Sequence, residues 1–272
     1  MGSFKNKTVL VTGGASGIGL KMGRQALVRG AKHLILWDIN EDKLITAAAH
    51  LQKEGFEVTT QIVDVSSTGD VRQAAELVRM DVGPVDILFN NAGIVVGKPF
   101  TEHSIEDIER TLGVNTTGLM LVAKAFIPDM IETGSGHIIN IASAAGLTSN
   151  PGMTVYAASK WAAVGWSDSL RLEFKKEDIP IRVLTVMPSY INTGMFAGVT
   201  TPFMTPLLDP DDITKKILDA VEHDKVILRE PLIVKFAPFL KGVLPQKIYD
   251  FVAGNLFRVY SSMDTFIGRK TE

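Results

Sequence analysis

Short, continuous apolar runs alternate along the chain with longer stretches in which apolar positions recur at three- and four-residue spacing. Runs this short, bounded by turn residues, read as buried strands, and the longer stretches between them read as amphipathic helices. Residues 8–12 (Thr-Val-Leu-Val-Thr) form the first predicted strand, and Gly13 opens a glycine-rich turn into a helix that runs to about Arg29. Residues 33–38 (His-Leu-Ile-Leu-Trp-Asp) give the second strand, and 41–54 a second helix ended by Gly55. Strands are predicted over 57–63 and 85–89 with a helix over 68–81 between them, then one long helix over 104–131 and a strand over 137–141. A helix containing Tyr156 runs to about Lys176, and 181–187 is the sixth strand. Past Pro188 the rhythm changes, because 189–210 holds three prolines with several glycines and threonines. It reads as a long loop with short helices, of the kind that forms a lid or binding segment. A helix over 211–223, a seventh strand over 225–228 and a mostly helical segment over 236–263 complete the pattern. The strand–helix rhythm predicts one α/β domain over 1–272, a doubly wound parallel sheet with helices on both faces and an apolar helical extension over 231–272.

Composition adds limits to this picture. A chain of 272 residues that is 46% hydrophobic can bury one large core. The net charge is -2 and no run of Lys and Arg forms a stripe, so nucleic acid is not an expected partner. There is no cysteine, which excludes disulfides, thiolate metal ligands and a cysteine nucleophile and fits a reducing, cytoplasmic setting. His33, His50, His103, His137 and His223 are scattered without metal-ligand spacing, so no metal is expected. The N-terminus has no signal-peptide pattern, and Met1-Gly2-Ser3-Phe4-Lys5-Asn6 misses the myristoylation pattern at its last position. Lys124 and Lys235 interrupt the two most apolar stretches, leaving no spanning segment. Residues 235–258 interleave Phe236, Phe239, Leu240, Val243, Leu244, Phe251, Leu256 and Phe257 with Lys235, Lys241, Lys247 and Arg258. Such a segment can cover a substrate pocket, meet a neighbouring subunit or lie on a membrane surface.

Tyr156 and Lys160 lie four residues apart, which on a helix sets the hydroxyl and the ammonium one turn apart on one face. A charged ammonium beside a phenol favours the phenolate, and one unit charge at about 4 Å supplies roughly the 4 kcal/mol needed to bring the phenol to neutral pH. The pair predicts a general acid/base for an alcohol or carbonyl. The turn Thr12-Gly13-Gly14-Ala15-Ser16-Gly17-Ile18-Gly19 sits between the first strand and first helix, where glycines let the backbone approach a pyrophosphate and the helix offers its free N–H groups. Gly13, Ser16, Gly17, Ile18 and Gly19 are its candidate ligands. Asp38 ends the second strand, where a carboxylate accepts hydrogen bonds from a ribose and repels a 2′-phosphate; the alternative is that it caps the next helix. Ala15, Ser16, Ile39 and Asn40 supply no cation nearby, which favours NAD(H) over NADP(H).

With Asp64-Val65, Asn90-Asn91-Ala92-Gly93, Asn115, Ser143 and Pro188 with Thr193 in that order and spacing, the chain resembles the short-chain dehydrogenases/reductases over roughly residues 5 to 230. The resemblance implies a seven-stranded sheet in the order 3-2-1-4-5-6-7 and a homodimer or homotetramer paired through the helices from about Ser104 and Tyr156. It implies that Asp64 and Val65 contact the adenine, that Asn91, Ala92 and Gly93 shape the cofactor floor, and that Pro188 and Thr193 meet the nicotinamide end. It gives Asn115 a water linking Lys160 to solvent, Ser143 a bond to the substrate oxygen, Tyr156 the proton, and Lys160 the ribose and the tuning of the tyrosine. Ser189 stands where the family usually has glycine. The stretch from Pro188 to Gly198 and the apolar tail resemble the branch with retinol and 17-beta-hydroxysteroid dehydrogenases. That implies a hydrophobic alcohol or ketone in a pocket lined by Ser143, Ile94, Leu147, Met153, Tyr190, Met195, Phe196, Phe203 and Met204. The alternatives are a membrane-surface dehydrogenase of retinoid, steroid or lipid substrates, and an NAD-binding protein without catalysis.

Overall fold

The computed structural model describes residues 3–268, so Met1 and Gly2 of the myristoylation reading and 269–272 of the C-terminal extension lie outside the described residues. Seven strands form one parallel sheet in the order β3-β2-β1-β4-β5-β6-β7. They are β1 (Thr8–Thr12), β2 (His33–Asp38), β3 (Val58–Ile62), β4 (Ile87–Asn90), β5 (Gly136–Ile141), β6 (Ile181–Pro188) and β7 (Ile227–Glu230). The central strands are apolar on both faces because both are covered. Val9 and Val11 of β1 join a core with Leu34, Leu36 and Ile217, while Leu10 between them joins the opposite core with Trp37, Phe126 and Phe174. The helices α1 (Gly17–Val28), α2 (Glu41–Lys53), α3 (Thr68–Asp81), α4 (Ile105–Leu112), α5 (Leu119–Glu132), α6 (Thr154–Lys176) and α7 (Pro210–Glu222) supply the two outer layers. The strand order reverses between β1 and β4, which leaves a crevice at their carboxyl ends where open α/β sheets bind ligands.

Several elements differ from their sequence prediction. The helix expected over 104–131 is three pieces, because a π-helical turn (Gly113–Gly118) separates α4 from α5. Within that turn a Cβ on Gly118 would stand 2.8 Å from the Val65 carbonyl oxygen, so the chain presses there against the strand-side loop. Residues 189–209 contain no helix among the described residues and are held by an isolated bridge between Ile191 and Leu208. Strand β7 begins two residues later than expected, and α7 one residue earlier, with Pro210 in its first turn and Asp209 as its cap. The extension begins earlier and is more broken than predicted: α8 (Leu232–Val243) and α9 (Gln246–Phe251) are split at Pro245, and a π turn (Val252–Leu256) and a short 3-10 turn (Val259–Ser261) follow.

A buried polar ladder fixes α6 against the sheet. Asn90 Nδ2 donates to Asn140 Oδ1 at 3.0 Å and to the Leu119 carbonyl, and Asn140 Nδ2 donates to Ser167 Oγ at 2.9 Å. These groups are buried, so their bonds matter less for what they add than for what an orphaned partner would cost. Asn140→Ala strips partners from both Asn90 and Ser167. It is expected to cost about 2 to 4 kcal/mol in urea unfolding, with a loss below 1 kcal/mol contradicting the role of the ladder.

Candidate active site

Helix α6 carries Tyr156 and Lys160 one turn apart on its inward face, each only 4% exposed. Lys160 Nζ donates to the Ile141 carbonyl at the end of β5 at 2.9 Å and lies 5.7 Å from the centre of the Tyr156 ring. Ser143 follows β5 and caps the one-turn 3-10 helix Ala144–Gly146, its Oγ accepting from the Ala145 N–H at 3.1 Å. The turn sits directly on α6: a Cβ on Gly146 would come within 2.7 Å of the Lys160 carbonyl oxygen.

The electrostatics differ from the expectation of an acidic phenol. Burial pushes Tyr156 up to about 12, against which the neighbouring Ser143 hydroxyl works, and burial pushes Lys160 down to about 8. The same desolvation disfavours both charged forms, and the ammonium faces the Ile141 carbonyl. In the protein alone, lysine proximity does not offset that burial.

Asn115 lies in the π turn, 1% exposed. Its Oδ1 accepts from the Ile94 N–H at 2.9 Å, and its Nδ2 donates to the Ile94 carbonyl at 2.9 Å and to Ser159 Oγ at 3.0 Å. The side chain therefore ties the loop after β4 to α6, with both of its N–H groups occupied. Extra turns of this kind often mark functional positions in helices.

Every residue assigned above to the cofactor lines one cleft of about 550 Å³. It holds Gly13, Ser16, Gly17, Ile18 and Gly19 of the first turn, then Asp38, Asp64, Val65, Asn91, Ala92, Gly93, Pro188 and Thr193, together with Ser143, Tyr156 and Lys160. Asn115 is outside this lining. The turn has the form that an approaching pyrophosphate needs. A Cβ on Gly19 would stand 2.2 Å from the Gly13 carbonyl oxygen, and Gly13 has φ 61° with its backbone against Ala92. Ser16 caps α1 without a side-chain bond, and the first turn of α1 carries no acidic residue, so its N–H groups face the cleft uncompensated. The Asp38 carboxylate accepts from the N–H groups of Ala15 and Asn40, each at 3.1 Å. The cap of α2 is Asn40, which accepts from the Lys43 N–H, so Asp38 is not that cap. Two exposed cations outside the positions weighed from sequence, Lys43 and Arg110, also line the cleft. The backbone at Ser189 is not left-handed, and a serine is accommodated there without strain. These residues fit a nicotinamide dinucleotide.

A second, apolar chamber of about 120 Å³ meets the cleft at Ser143, Ser189 and Phe196, which line both. Of the substrate residues expected from sequence, Met153, Tyr190, Phe196 and Phe203 line the chamber, whereas Ile94 and Met195 line the cleft. Leu147 instead packs in a core cluster with Ala142, Ala163 and Met187, and Met204 is 60% exposed. Part of the remaining wall meets the expectation that residues 235–258 cover a pocket, since Leu240 and Phe257 line it. Thr148 and Asn150 come from the loop before α6, and Ile233, Ala237, Leu240, Tyr249, Phe257 and Val259 come from the C-terminal extension. The available signal was that α8 is apolar on two sides: Ile233, Ala237 and Leu240 point to the chamber, and Leu232, Phe236, Phe239 and Val243 are exposed, with Lys235 and Lys241 as its only charged residues. Among the described residues no group of three or more His, Cys, Asp or Glu is arranged to hold a metal ion.

Residues 7–202 match the family model of short chain dehydrogenases. Human epidermal retinol dehydrogenase 2 is 37% identical over 266 residues, covering 96% of this chain and 85% of that protein. Human estradiol 17-beta-dehydrogenase 11 is 31% identical over 269 residues, covering 98% of this chain and 88% of that protein. Among solved structures, a short-chain dehydrogenase/reductase from Burkholderia phymatum in complex with NAD superimposes with a TM-score of 0.82 at 26% identity, covering 89% of this chain and 95% of the other. A short-chain dehydrogenase from Sphingobium yanoikuyae in complex with NADPH gives 0.75 at 28% identity, covering 88% and 97%. The model match over most of the chain, and relatives aligned along nearly all of it, place this protein in the short-chain dehydrogenase family.

Proposed function

We propose that the protein is an NAD(H)-dependent oxidoreductase that interconverts an alcohol and a carbonyl on a hydrophobic substrate. The observation that carries this reading is Ser143, whose hydroxyl acts on the Tyr156 phenol from the point where the cofactor cleft and the apolar chamber meet. A substrate oxygen held by Ser143 lies in reach of the phenol while its carbon skeleton occupies the chamber. When bound, the nicotinamide supplies the hydride exchange and, oxidised, a positive charge in the cleft. In reduction Tyr156 gives its proton to the substrate oxygen, and in oxidation it takes the proton back. Lys160 keeps two N–H groups beyond its bond to Ile141, enough to hold a ribose. A water between Lys160 and solvent would rest on the Asn115 main-chain carbonyl, since the amide N–H groups are occupied. Asp38 supports NAD(H), because its carboxylate is fixed by two main-chain N–H groups where a 2′-phosphate would have to sit.

A lipid-surface setting is a second reading, favoured by the outward faces of α8 and α9. Leu232, Phe239, Val243 and Phe251 are each more than 60% exposed, and 231–259 carries Lys235, Lys241, Lys247 and Arg258 against Asp250 alone. An apolar face rimmed by cations suits an anionic bilayer surface. No helix among the described residues is long and apolar enough to cross a membrane.

Tyr156→Phe is expected to lower turnover by about 10²- to 10⁴-fold with NADH binding by fluorescence titration unchanged. Normal turnover would end the acid/base assignment, and tighter binding of NADPH than NADH would end the role given to Asp38. The pH profile follows from the two shifts. Tyr156 keeps its proton up to about 12, whereas Lys160, depressed by burial, loses its charge above about 8. Reductive kcat/KM measured against the cofactor reports the free protein, and it is expected to be level below pH 8 and to fall above it. A fall centred below pH 7 would contradict the assignment. For the lipid surface, the protein is expected to sediment with vesicles of phosphatidylcholine and phosphatidylserine in low salt, and Phe236→Asp with Phe239→Asp to abolish this while NADH still binds. Sedimentation unaffected by the double substitution would exclude α8 as the contact.

A further inference from the structure

The apolar chamber is small for what encloses it. Ligand pockets usually span about 300 to 1,000 Å³, whereas this one holds about 120 Å³ and yet is walled by five aromatic side chains. Its outer wall is the last part of the described chain, which is stitched along the loop that follows β6. The Phe203 N–H donates to the Phe257 carbonyl at 2.9 Å, the Thr200 N–H to the Ser262 carbonyl at 3.0 Å and the Ile267 N–H to the Ala197 carbonyl at 2.9 Å, while Thr265 Oγ1 donates to the Gly198 carbonyl at 2.6 Å. The approach is so close that a Cβ on Gly198 would stand 2.3 Å from the Thr265 carbonyl oxygen. Residues 257–268 therefore form a strap over the loop.

One buried polar cluster fastens it. The Tyr190 hydroxyl and Ser262 Oγ lie 2.8 Å apart, and with its amide in the orientation that satisfies both ends, Asn150 accepts from them at 3.0 and 2.9 Å and donates to the Val259 carbonyl at 3.1 Å. Ser262 is fully buried, and Asn150 and Tyr190 are 8% and 9% exposed. From this cluster an aromatic relay leads to the chemistry: Tyr190 meets Phe196 edge-on at 5.1 Å, and Phe196 meets Tyr156 edge-on at 6.0 Å. Met263, next to Ser262, packs in the same cluster as Tyr156, Tyr190 and Met153.

We propose that the Asn150–Tyr190–Ser262 cluster is a latch that holds the C-terminal strap against the substrate loop, and that through Phe196 it sets which size of carbonyl substrate reaches Tyr156. Tyr190, Asn150 and Ser262 are positioning residues in this scheme. With the latch closed the chamber admits small substrates and holds Phe196 against the phenol; a larger substrate needs the strap to yield. The substrate half of the proposal rests on the oxidoreductase function above.

The test compares the unaltered chain with Ser262→Ala, Tyr190→Phe and the double variant, using NADH with a small ketone and with a bulky polycyclic ketone. Each single variant is expected to raise the ratio of kcat/KM for the bulky ketone to that for the small one by at least fivefold, with the NADH Kd unchanged. The double variant is expected to add little, because either substitution opens the same latch. A ratio that stays constant while both values fall together would reduce the cluster to a structural role and overturn the proposal. Amide hydrogen exchange gives an answer that needs no turnover. Protection at 197–203 and 262–268 is expected to drop at least tenfold in Ser262→Ala while β1 and β5 are unaffected, and unchanged protection would overturn the latch. No turnover of either ketone by the unaltered chain would overturn the function together with the substrate half, and the exchange pattern would still decide the latch.

Discussion

A lysine ammonium buried against a single main-chain carbonyl is the constraint around which this fold is arranged. Lys160 is 4% exposed, and its bond to Ile141 holds the inward face of α6 at the carboxyl end of β5. The position is unfavourable for the isolated protein. The folded pKa, about 8, lies below the unfolded value of 10.5, so the unfolded chain holds the proton more strongly between those limits. Stability from this group rises with pH across that window, and below about pH 8 the full penalty stands, roughly 3 kcal/mol. A fold that accepts such a cost must fix α6 by other means. The Asn90–Asn140–Ser167 ladder and the close seat of Gly146 on α6 provide them.

The same burial explains why the acid/base pair is poised rather than ionised. Tyr156 and Lys160 are each driven toward neutrality by desolvation, and the counterweight on the tyrosine side is a neutral hydroxyl, Ser143. A neutral phenol is the form that donates a proton, which is the form the proposed reduction would use. Oxidation needs the phenolate, and the charge that would favour it has to enter with a ligand in the cleft.

Much of this was legible in the residues, for reasons that differ along the chain. Strands such as β1 and β2 were readable to the residue because their short apolar runs are bounded by polar residues and turn formers, and Asp38 could be placed at a strand end for the same reason. Whether Asp38 or Asn40 capped α2 was not readable, since both are good caps and only the hydrogen bonds distinguish them. The π turn was hidden because a single inserted residue leaves helical spacing nearly intact, and the side-chain partner of Asn115, the Ile94 backbone, is 21 residues distant. Leu147 and Met204 were grouped with the pocket on hydrophobicity and proximity to the motifs, which do not tell a core position or a loop tip from a wall. The tyrosine's acidity was misjudged because spacing reports which charge is near and says nothing of desolvation.

The division between the readable and the unreadable parts coincides with a division of labour. The stretch matched by the family model, 7–202, supplies the lining of the large cleft together with Tyr156 and Lys160. About half of the chamber wall comes from beyond it, from Phe203 to Val259. Four of these residues, Ile233, Val234, Ala237 and Leu240, belong to α8, which carries apolar residues both toward the chamber and toward solvent, so hydrophobic periodicity, which locates a helix by its one dry side, has little purchase on it. A helix with a pocket on one side and an exposed apolar face on the other is constrained twice, by what it encloses and by what it rests on. In α8 the inward residues Ile233, Ala237 and Leu240 alternate by three and four with the outward Phe236, Phe239 and Val243. A displacement of this one helix would therefore alter the chamber volume and the outer surface together.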